Sequence, residues 1–352
     1  YRFPKLGPFD EFKLRAAYCE TGNEPLYNQK YTSLLGVTNS GQNGVTINGT
    51  LADPTLHPER EKEIEGGVDF GLFSSRVAVS LTGYQKNNSD LILQQSLAPS
   101  TGFTTRIFNG GEIRNRGFEA SLSGDVLRSG SFTWNSHLTY SMNRGRVMSL
   151  PDGVPAFRPP NSFGFAYGGG YIEVGKSPSQ ARGIVDSAGV GVLRQIGDFQ
   201  PKFNMGWSNE FSVGRFKLYG LFDWRNGGSV VDISQNVYDE LGTAPDSAAS
   251  AARVETFHSG LGSVYLQDGS FLKLREVTLS YTLPSSLVSS MFGGRVSGVR
   301  AEISGRNLAT WTKYPGLDPE VSNFGNQNIN RGQDLAPYPP TRSYFFSFDV
   351  EF

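Results

Sequence analysis

Thr341-Arg342-Ser343-Tyr344-Phe345-Phe346-Ser347-Phe348-Asp349-Val350-Glu351-Phe352 is the stretch on which the fold turns. Tyr344, Phe346, Phe348, Val350 and Phe352 fall on one face, and Ser343, Ser347, Asp349 and Glu351 on the other, with Phe345 the single exception. Successive side chains of a strand point to opposite faces, so this is a strand with one apolar and one polar side. An outer-membrane barrel uses such a strand with its apolar face to lipid and its polar face to a wet lumen. A soluble edge strand has the same pattern, and repetition along the chain decides between them.

The alternation recurs in nine earlier segments. Their apolar positions are Phe12–Tyr18, Ile64–Leu72, Val77–Leu81, Phe118–Val126, Phe132–Tyr140, Phe203–Phe211, Phe216–Trp224, Val277–Leu283 and Val299–Ile303. Consecutive segments are joined alternately by shorter and longer links. The shorter ones lie near Phe73–Ser75, Arg128–Ser131, Val213–Arg215 and Pro284–Val296, the last with a helical turn expected at Ser285–Met291. The longer ones run over 20–60, 96–111, 144–200, 226–268 and 309–341. Tight periplasmic turns alternating with long outer loops are the topology of an outer-membrane barrel. A soluble sandwich has no reason to lengthen every second loop, and would have to protect its edges.

Composition fits this reading. In 352 residues there are 43 glycines, 12% aromatics and 18% charged residues, and the mean hydropathy is −0.33. No apolar run reaches the length of a membrane-spanning helix, which leaves barrels open because their strands average to a polar composition. A net charge of −1 lacks the basic footprint of a nucleic-acid binder. The lone Cys19 precludes an internal disulfide or multi-cysteine metal site. Residues 1–10 lack an apolar signal-peptide core, and the chain is expected to be a piece of a longer polypeptide.

One strand breaks parity. Leu272 and Leu274 are out of step with Val277 and Leu279, so a regular strand would turn Lys273 and Arg275 toward lipid. A charge at the bilayer midplane costs about 2–4 kcal/mol. Either these residues stand above the membrane rim or a β-bulge lies near Arg275.

Several segments together resemble SusC/RagA-type TonB-dependent transporters. Leu56-His57-Pro58-Glu59-Arg60 running into Glu65-Gly66-Gly67-Val68-Asp69 is similar to that family's L-x-P-E-x and E-x-G-x-D pattern. Asn109-Gly110-Gly111-Glu112-Ile113-Arg114-Asn115-Arg116-Gly117-Phe118-Glu119 resembles its N-x-G-x-I-x-N-x-G-x-E segment, and Ile196-Gly197-Asp198 with Pro201 its I-G-D-x-x-P run. Phe271–Tyr281 is similar to a late barrel strand of the family. Arg306-Asn307-Leu308, Trp311-Thr312, Tyr314, Gly316, Asp318-Pro319-Glu320 and Tyr338-Pro339-Pro340-Thr341-Arg342 resemble its C-terminal signature. Order and spacing hold over nearly the whole chain.

The resemblance implies an all-β antiparallel transmembrane barrel of 22 strands with an internal plug, of which residues 1–352 would supply about the last ten strands. Plug, TonB box and signal peptide would lie upstream. It further implies a non-enzymatic protein of the cell outer membrane that imports a large nutrient ligand, an oligosaccharide or a peptide. A SusD-like surface lipoprotein would act as lid, TonB and its inner-membrane motor would supply energy, and barrel assembly machinery and outer-membrane lipid would be further partners. The terminal Phe352 resembles the assembly signal of such barrels. An alternative is a barrel that only anchors a surface complex without transport; a soluble carbohydrate-active enzyme would need a facing carboxylate pair.

Candidate site residues follow from parity and composition. Glu210, Asp223, Arg225, Arg300 and Arg306 on polar faces are expected to line the lumen as ion-pair ladders. Phe163, Phe165, Tyr167 and Tyr171 flank Gly168-Gly169-Gly170, a glycine run without a strand-to-helix phosphate frame, and are candidates for ligand or lid contact. Asp318 and Glu320 read as a turn in an outer loop, or alternatively as an acid pair or calcium ligands. His57, His137 and His258 lack metal spacing, and no metal or cofactor is expected. Trp134, Trp207, Trp224 and Trp311 suit an interfacial girdle, and Ala244–Ala252 a short surface helix.

Overall fold

The computed structural model describes residues 9–27, 29–159, 167–261, 264–320, 332–338 and 340–352. Ten long strands form one antiparallel sheet: β1 Phe9–Asn23, β2 Glu59–Leu72, β3 Val77–Ser89, β4 Glu112–Ser129, β5 Phe132–Ser149, β6 Pro201–Val213, β7 Phe216–Gly227, β8 Phe271–Thr282, β9 Gly298–Thr312 and β10 Ser343–Glu351. Each is hydrogen-bonded to the next in chain order, a meander without a crossover. All ten strands expected from alternation are present, and they run longer than the apolar pattern alone indicated. β4 and β5 reach 18 residues each, well beyond the 9–11 needed to cross a bilayer, so their ends stand clear of the membrane.

Turn chemistry fixes the register. Gly130 (φ 57°) and Gly214 (φ 55°) each open a two-residue hairpin, where positive φ matches the twist of the flanking strands. The link between β8 and β9 carries the expected helix, α1 Ser285–Phe292, whose buried Val288 packs with Val296, Val299 and Leu283. The long loops hold small sheets of their own. One is a hairpin of Leu34–Asn39 with Gln42–Ile47; another pairs Gln180–Ser187 with Val190–Asp198. The alanine-rich segment forms a helix later than expected, α3 Ser247–His258, preceded by α2 Ile233–Glu240, which alternation did not reveal.

The apolar face of the sheet is studded with exposed rings. Phe118, Tyr140, Phe203 and Trp224 form a row across β4–β7 with centroids 6.4, 5.5 and 5.0 Å apart. Nearer the short turns, Trp134 stacks on Phe211 at 5.5 Å and Phe216 lies 4.6 Å from Tyr281. Along β6, Phe203 to Val213 is ten steps, about 34 Å at 3.4 Å per residue. With a strand tilt of about 40° this spans about 26 Å of membrane normal, the height of a barrel's apolar band. Two polar residues within this face, Ser136 and Asn209, are capped by indoles: Trp207 Nε1 donates to Ser136 Oγ at 2.9 Å and Trp134 Nε1 to Asn209 Oδ1 at 3.0 Å. Polar groups facing hydrocarbon need such partners.

Leu138 and Phe222 lie in the middle row of this face, on either side of Trp207. Leu138→Arg or Phe222→Arg places a charge at mid-bilayer and costs about 2–4 kcal/mol. Reduced heat-modifiable, folded protein in isolated outer membranes is the expected result; wild-type yield would contradict the assignment of this face to lipid.

Candidate functional site

The polar face of the sheet is a lattice of cross-strand ion pairs. On β1–β3, Arg15 donates to both Asp69 oxygens at 2.8 and 2.9 Å and to Ser80 Oγ and Thr82 Oγ1 at 3.0 and 2.9 Å. The reason for glycine in Glu65-Gly66-Gly67-Val68-Asp69 is visible here: a Cβ at Gly67 would meet the Leu81 carbonyl oxygen at 2.9 Å as well as the Arg15 guanidinium at 2.8 Å. Farther up the same wall, Lys86 bridges Glu61 at 3.0 Å and Glu63 at 3.3 Å.

The five polar-face residues singled out in the sequence each find a separate partner. Glu210 pairs with Lys217 at 3.0 Å, Asp223 with Arg275 at 2.5 Å and Arg300 with Asp349 at 2.5 Å. Arg306 reaches Glu276 at 3.3 Å and lies 5.1 Å over the Phe345 ring, which gives the one aromatic exception in β10 a role on the polar side. Arg225 donates to the Phe199 carbonyl at 3.3 Å. Asp223 and Arg306 come together with Arg275, Glu276 and Asn307 around an open hollow of about 450 Å³, whereas Glu210 and Arg300 lie elsewhere on the face.

That hollow sits at a bulge. Both neighbouring ladders skip Arg275: Leu221 pairs with Glu276 while Phe222 pairs with Leu274, and Leu274 pairs with Ala309 while Glu276 pairs with Arg306. Of the two explanations for broken parity, the bulge is the one realised, and it turns both Lys273 and Arg275 to the polar face. Opposite it, Asn307 takes φ 53°, a conformation asparagine tolerates better than most residues. Lys273, 2% exposed, holds both Asp318 oxygens at 2.7 Å and Glu320 at 2.5 Å. Arg275 takes the other Glu320 oxygen at 2.6 Å. Burial pushes the Glu320 carboxyl up, but its bonds to Arg275 and Lys273 hold it below the ordinary value. The two carboxylates of Asp318-Pro319-Glu320 thus clamp an outer loop to the wall. Among the described residues, no three His, Cys, Asp or Glu side chains converge as a metal site.

Other matched motifs meet in space. Asn109 accepts from His57 N at 2.7 Å and donates to the carbonyls of His57 at 2.9 Å and Asp90 at 2.7 Å, so it ties the loops before β2 and β4. Gly117 leaves room for the Tyr84 ring, which a Cβ would approach to 2.2 Å. Asp198 accepts from Ser179 Oγ at 2.6 Å and from Gln200 N at 2.9 Å, shaping the approach to β6.

Tyr167 packs 4.7 Å from Phe257 and donates to Asn236 at 2.8 Å; Tyr171 donates to the Ala156 carbonyl, with the Arg182 guanidinium 4.8 Å over its ring. Phe163 and Phe165 lie outside the described residues. Around Tyr167, Arg253 locks α2 to α3 through Asp239 at 2.6 Å and Asp246 at 2.8 Å. Burial opposes ionisation of Asp239, yet Arg253 and Gln235 hold its carboxyl down at about 2. Asp232 caps α2, accepting from Gln235 N at 2.9 Å, and pairs in a short parallel ladder with Asp334. Asp334 receives Tyr314 Oη at 2.6 Å and Ser234 Oγ at 2.7 Å. Both aspartates are buried. Burial, with the Asp334 and Asp239 charges, pushes the Asp232 carboxyl up to about 6. This constellation, which joins two outer loops, gave no sequence signal beyond isolated acids.

Two outcomes follow from these clusters. Lys273→Met leaves the buried Asp318 carboxylate without its cation, while the more exposed Glu320 keeps Arg275, and breaking a buried pair costs about 3–5 kcal/mol. Limited proteolysis should then cut near residues 313–320 at least several-fold faster; equal rates would remove the clamp. The raised Asp232 carboxyl favours the folded loops fully below about pH 4, where folded and unfolded forms are both protonated. That contribution declines as pH rises and is lost above about pH 6. Hydrogen exchange at residues 230–236, corrected for intrinsic rates, should be slower at pH 5 than at pH 7.5. The difference should vanish in Asp232→Asn, and its survival there would assign the effect to another group.

Comparison with known proteins agrees with this geometry. The family profile described as "TonB dependent receptor-like, beta-barrel" matches residues 1–181. TonB-dependent receptor P3 of Formosa agariphila is 28% identical over 400 residues, covering 97% of this chain and 39% of that protein. TonB-dependent receptor P26 of the same organism is 26% identical, covering 98% and 40%. The chain therefore spans about two fifths of the length of these relatives. Among solved structures, the RagAB peptide transporter superposes with a TM-score of 0.75 at 20% identity, over 98% of this chain and 41% of that one. Half of the sequence lies within the profile and the strand order continues unbroken to Glu351, so this chain belongs to the TonB-dependent receptor-like β-barrel family of the outer membrane.

Proposed function

We propose that the whole protein imports a large nutrient ligand, an oligosaccharide or a peptide, across the outer membrane, and that this chain supplies late strands of its barrel wall. The observation that carries the reading is the two-sided ten-strand meander within a TonB-dependent receptor family: rings on the lipid side, cross-strand ion pairs on the other. Similarity to a protein named a peptide transporter supports the peptide branch.

In this reading Glu210, Asp223, Arg225, Arg300 and Arg306 line the lumen, and the opposite charges beside Glu210, Asp223, Arg300 and Arg306 keep the wall wet without one dominant charge. The hollow at the Arg275 bulge is where a plug or passing ligand meets the wall. The clamp from Lys273 and Arg275 to Asp318 and Glu320 holds one outer loop in place at the mouth. Tyr167 and Tyr171 order a second loop, which with Phe163 and Phe165 would face ligand or a SusD-like lid. An upstream plug and TonB segment would couple the barrel to the inner-membrane motor. Phe352, 93% exposed beyond the last paired residue, would be read by the assembly machinery.

Cells carrying the full-length gene, fed fluorescent oligosaccharide and peptide pools, separate import from anchoring. Import predicts accumulation that a protonophore abolishes while surface binding persists, and loss of both on gene deletion. Surface binding with no protonophore-sensitive accumulation would favour the scaffold role.

A further inference from the structure

The outward face carries a second charged feature, above the aromatic row and unrelated to the lumen. β4 and β5 pair without a register break from Asn135 with Asp125 to Val147 with Ile113. Phe118 and Met142 are opposite one another, and two steps farther from the membrane Arg116 stands opposite Arg144, then Arg114 opposite Arg146. Strict alternation keeps all four arginines on the face that carries Phe118 and Tyr140. The neighbouring β3 sets Gln85 beside Arg116 and Asn87 beside Arg114, and β2 adds Lys62 and Arg60 beyond. Arg116, Arg144 and Arg146 are exposed and Arg114 is half-buried.

Like charges directly opposite on neighbouring strands are destabilising, so a two-by-two block of arginines calls for a counter-charge. Among the described residues none of the four forms an ion pair, although salt bridges are dense on the opposite face. Arg116 donates to Gln85 Oε1 at 2.7 Å, and Arg144 to the carbonyls of Asn143 and Pro201 at 3.0 and 3.2 Å. These bonds hold the guanidinium groups without neutralising them. Among the described residues, the acids on this outward patch are Glu20, 3.5 Å from Lys62, and Glu112, which accepts from Asn87 at 3.1 Å.

We propose that this arginine block, with Lys62 at its flank, binds the phosphate groups of an anionic glycolipid in the outer leaflet. Position and chemistry agree. Two residue steps place Arg116 and Arg144 about 7 Å along the strand beyond Phe118, and Arg114 and Arg146 about 14 Å beyond, where acyl chains give way to headgroups. The guanidinium fork binds phosphate oxygens in pairs. A lipid phosphate held there would bridge Arg116 and Arg144 and remove the repulsion across the β4–β5 ladder. A lipid is favoured over a soluble anion because the block is continuous with the lipid-facing ring row and turned away from the lumen.

The test uses full-length protein purified from outer membranes in non-ionic detergent and titrated with diphosphoryl lipid A or its dephosphorylated form, with bound lipid counted by native mass spectrometry. Arg116→Gln/Arg144→Gln should weaken diphosphoryl lipid A binding by roughly ten-fold or more. Arg116→Lys/Arg144→Lys should lie in between, and the dephosphorylated lipid should bind weakly to all. Unheated electrophoretic mobility reports assembly. If the first double variant does not assemble, Arg114→Gln/Arg146→Gln serves for the same comparison, and preference of the wild type for the phosphorylated lipid is a check that needs no variant. Equal binding of the two lipids, or unchanged affinity in the assembled glutamine variants, overturns the proposal. So does complete displacement of the lipid by equimolar inorganic phosphate, which would mark a site for free anions. None of these readouts depends on uptake, so failure of the import reading would be seen separately.

Discussion

A backbone amide or carbonyl in hydrocarbon has no water to fall back on. A sheet in a membrane must therefore be an unbroken ladder in which each strand satisfies the next. Most other features of this chain follow from that constraint. It demands consecutive antiparallel neighbours, and β1 to β10 comply without a crossover. It leaves the wall one residue thick, so there is no interior between sheets to fill. The buried apolar clusters accordingly lie at the ends: Val288, Val296 and Val299 at a short link, Ala181, Phe199, Val231 and Ile233 among the outer loops.

A wall one residue thick also divides the electrostatics. Charges on the lipid face would be costly across the apolar band, so those at its depth gather on the polar face, where the strand spacing brings opposite signs within reach. The pairs are mostly half-exposed and individually worth little; their effect is to keep a densely charged surface near neutrality. The exception is Lys273, buried and triply bonded, where the cost of desolvation requires both Asp318 and Glu320. Here a loop is held by charge where apolar packing has no room.

The sequence was a good guide wherever the rule was local and periodic. Alternation located all ten strands, and link lengths told the two ends of the barrel apart. Broken parity at Leu274 and Val277 pointed to Arg275 because a one-residue slip reverses every later side chain. What it could not show were contacts between distant segments. Nothing near Gly67 says that Arg15 fills its space, and nothing near Asn109 names the His57 backbone as its partner. Asp318 and Glu320 read as turn residues because their partners lie 45 and 47 positions away. The loop helix came out shifted because alanine content marks helix propensity, while Asp232, Arg253 and Asp239 decide where the helices begin and lock. The polar-face residues were legible as a class, but their pairing required the register.

The indole caps over Ser136 and Asn209 have a mechanical consequence. Tryptophans at a membrane boundary usually fix a protein's height by donating hydrogen bonds to headgroups. Trp134 and Trp207 spend their donors inside the wall and offer lipid only ring faces. Near the short turns of β5 and β6 these indoles therefore add no headgroup tether, and apolar area gives only a shallow, non-directional restraint. That rim can give as local bilayer thickness changes, while polar anchoring falls to the arginine block at the opposite rim.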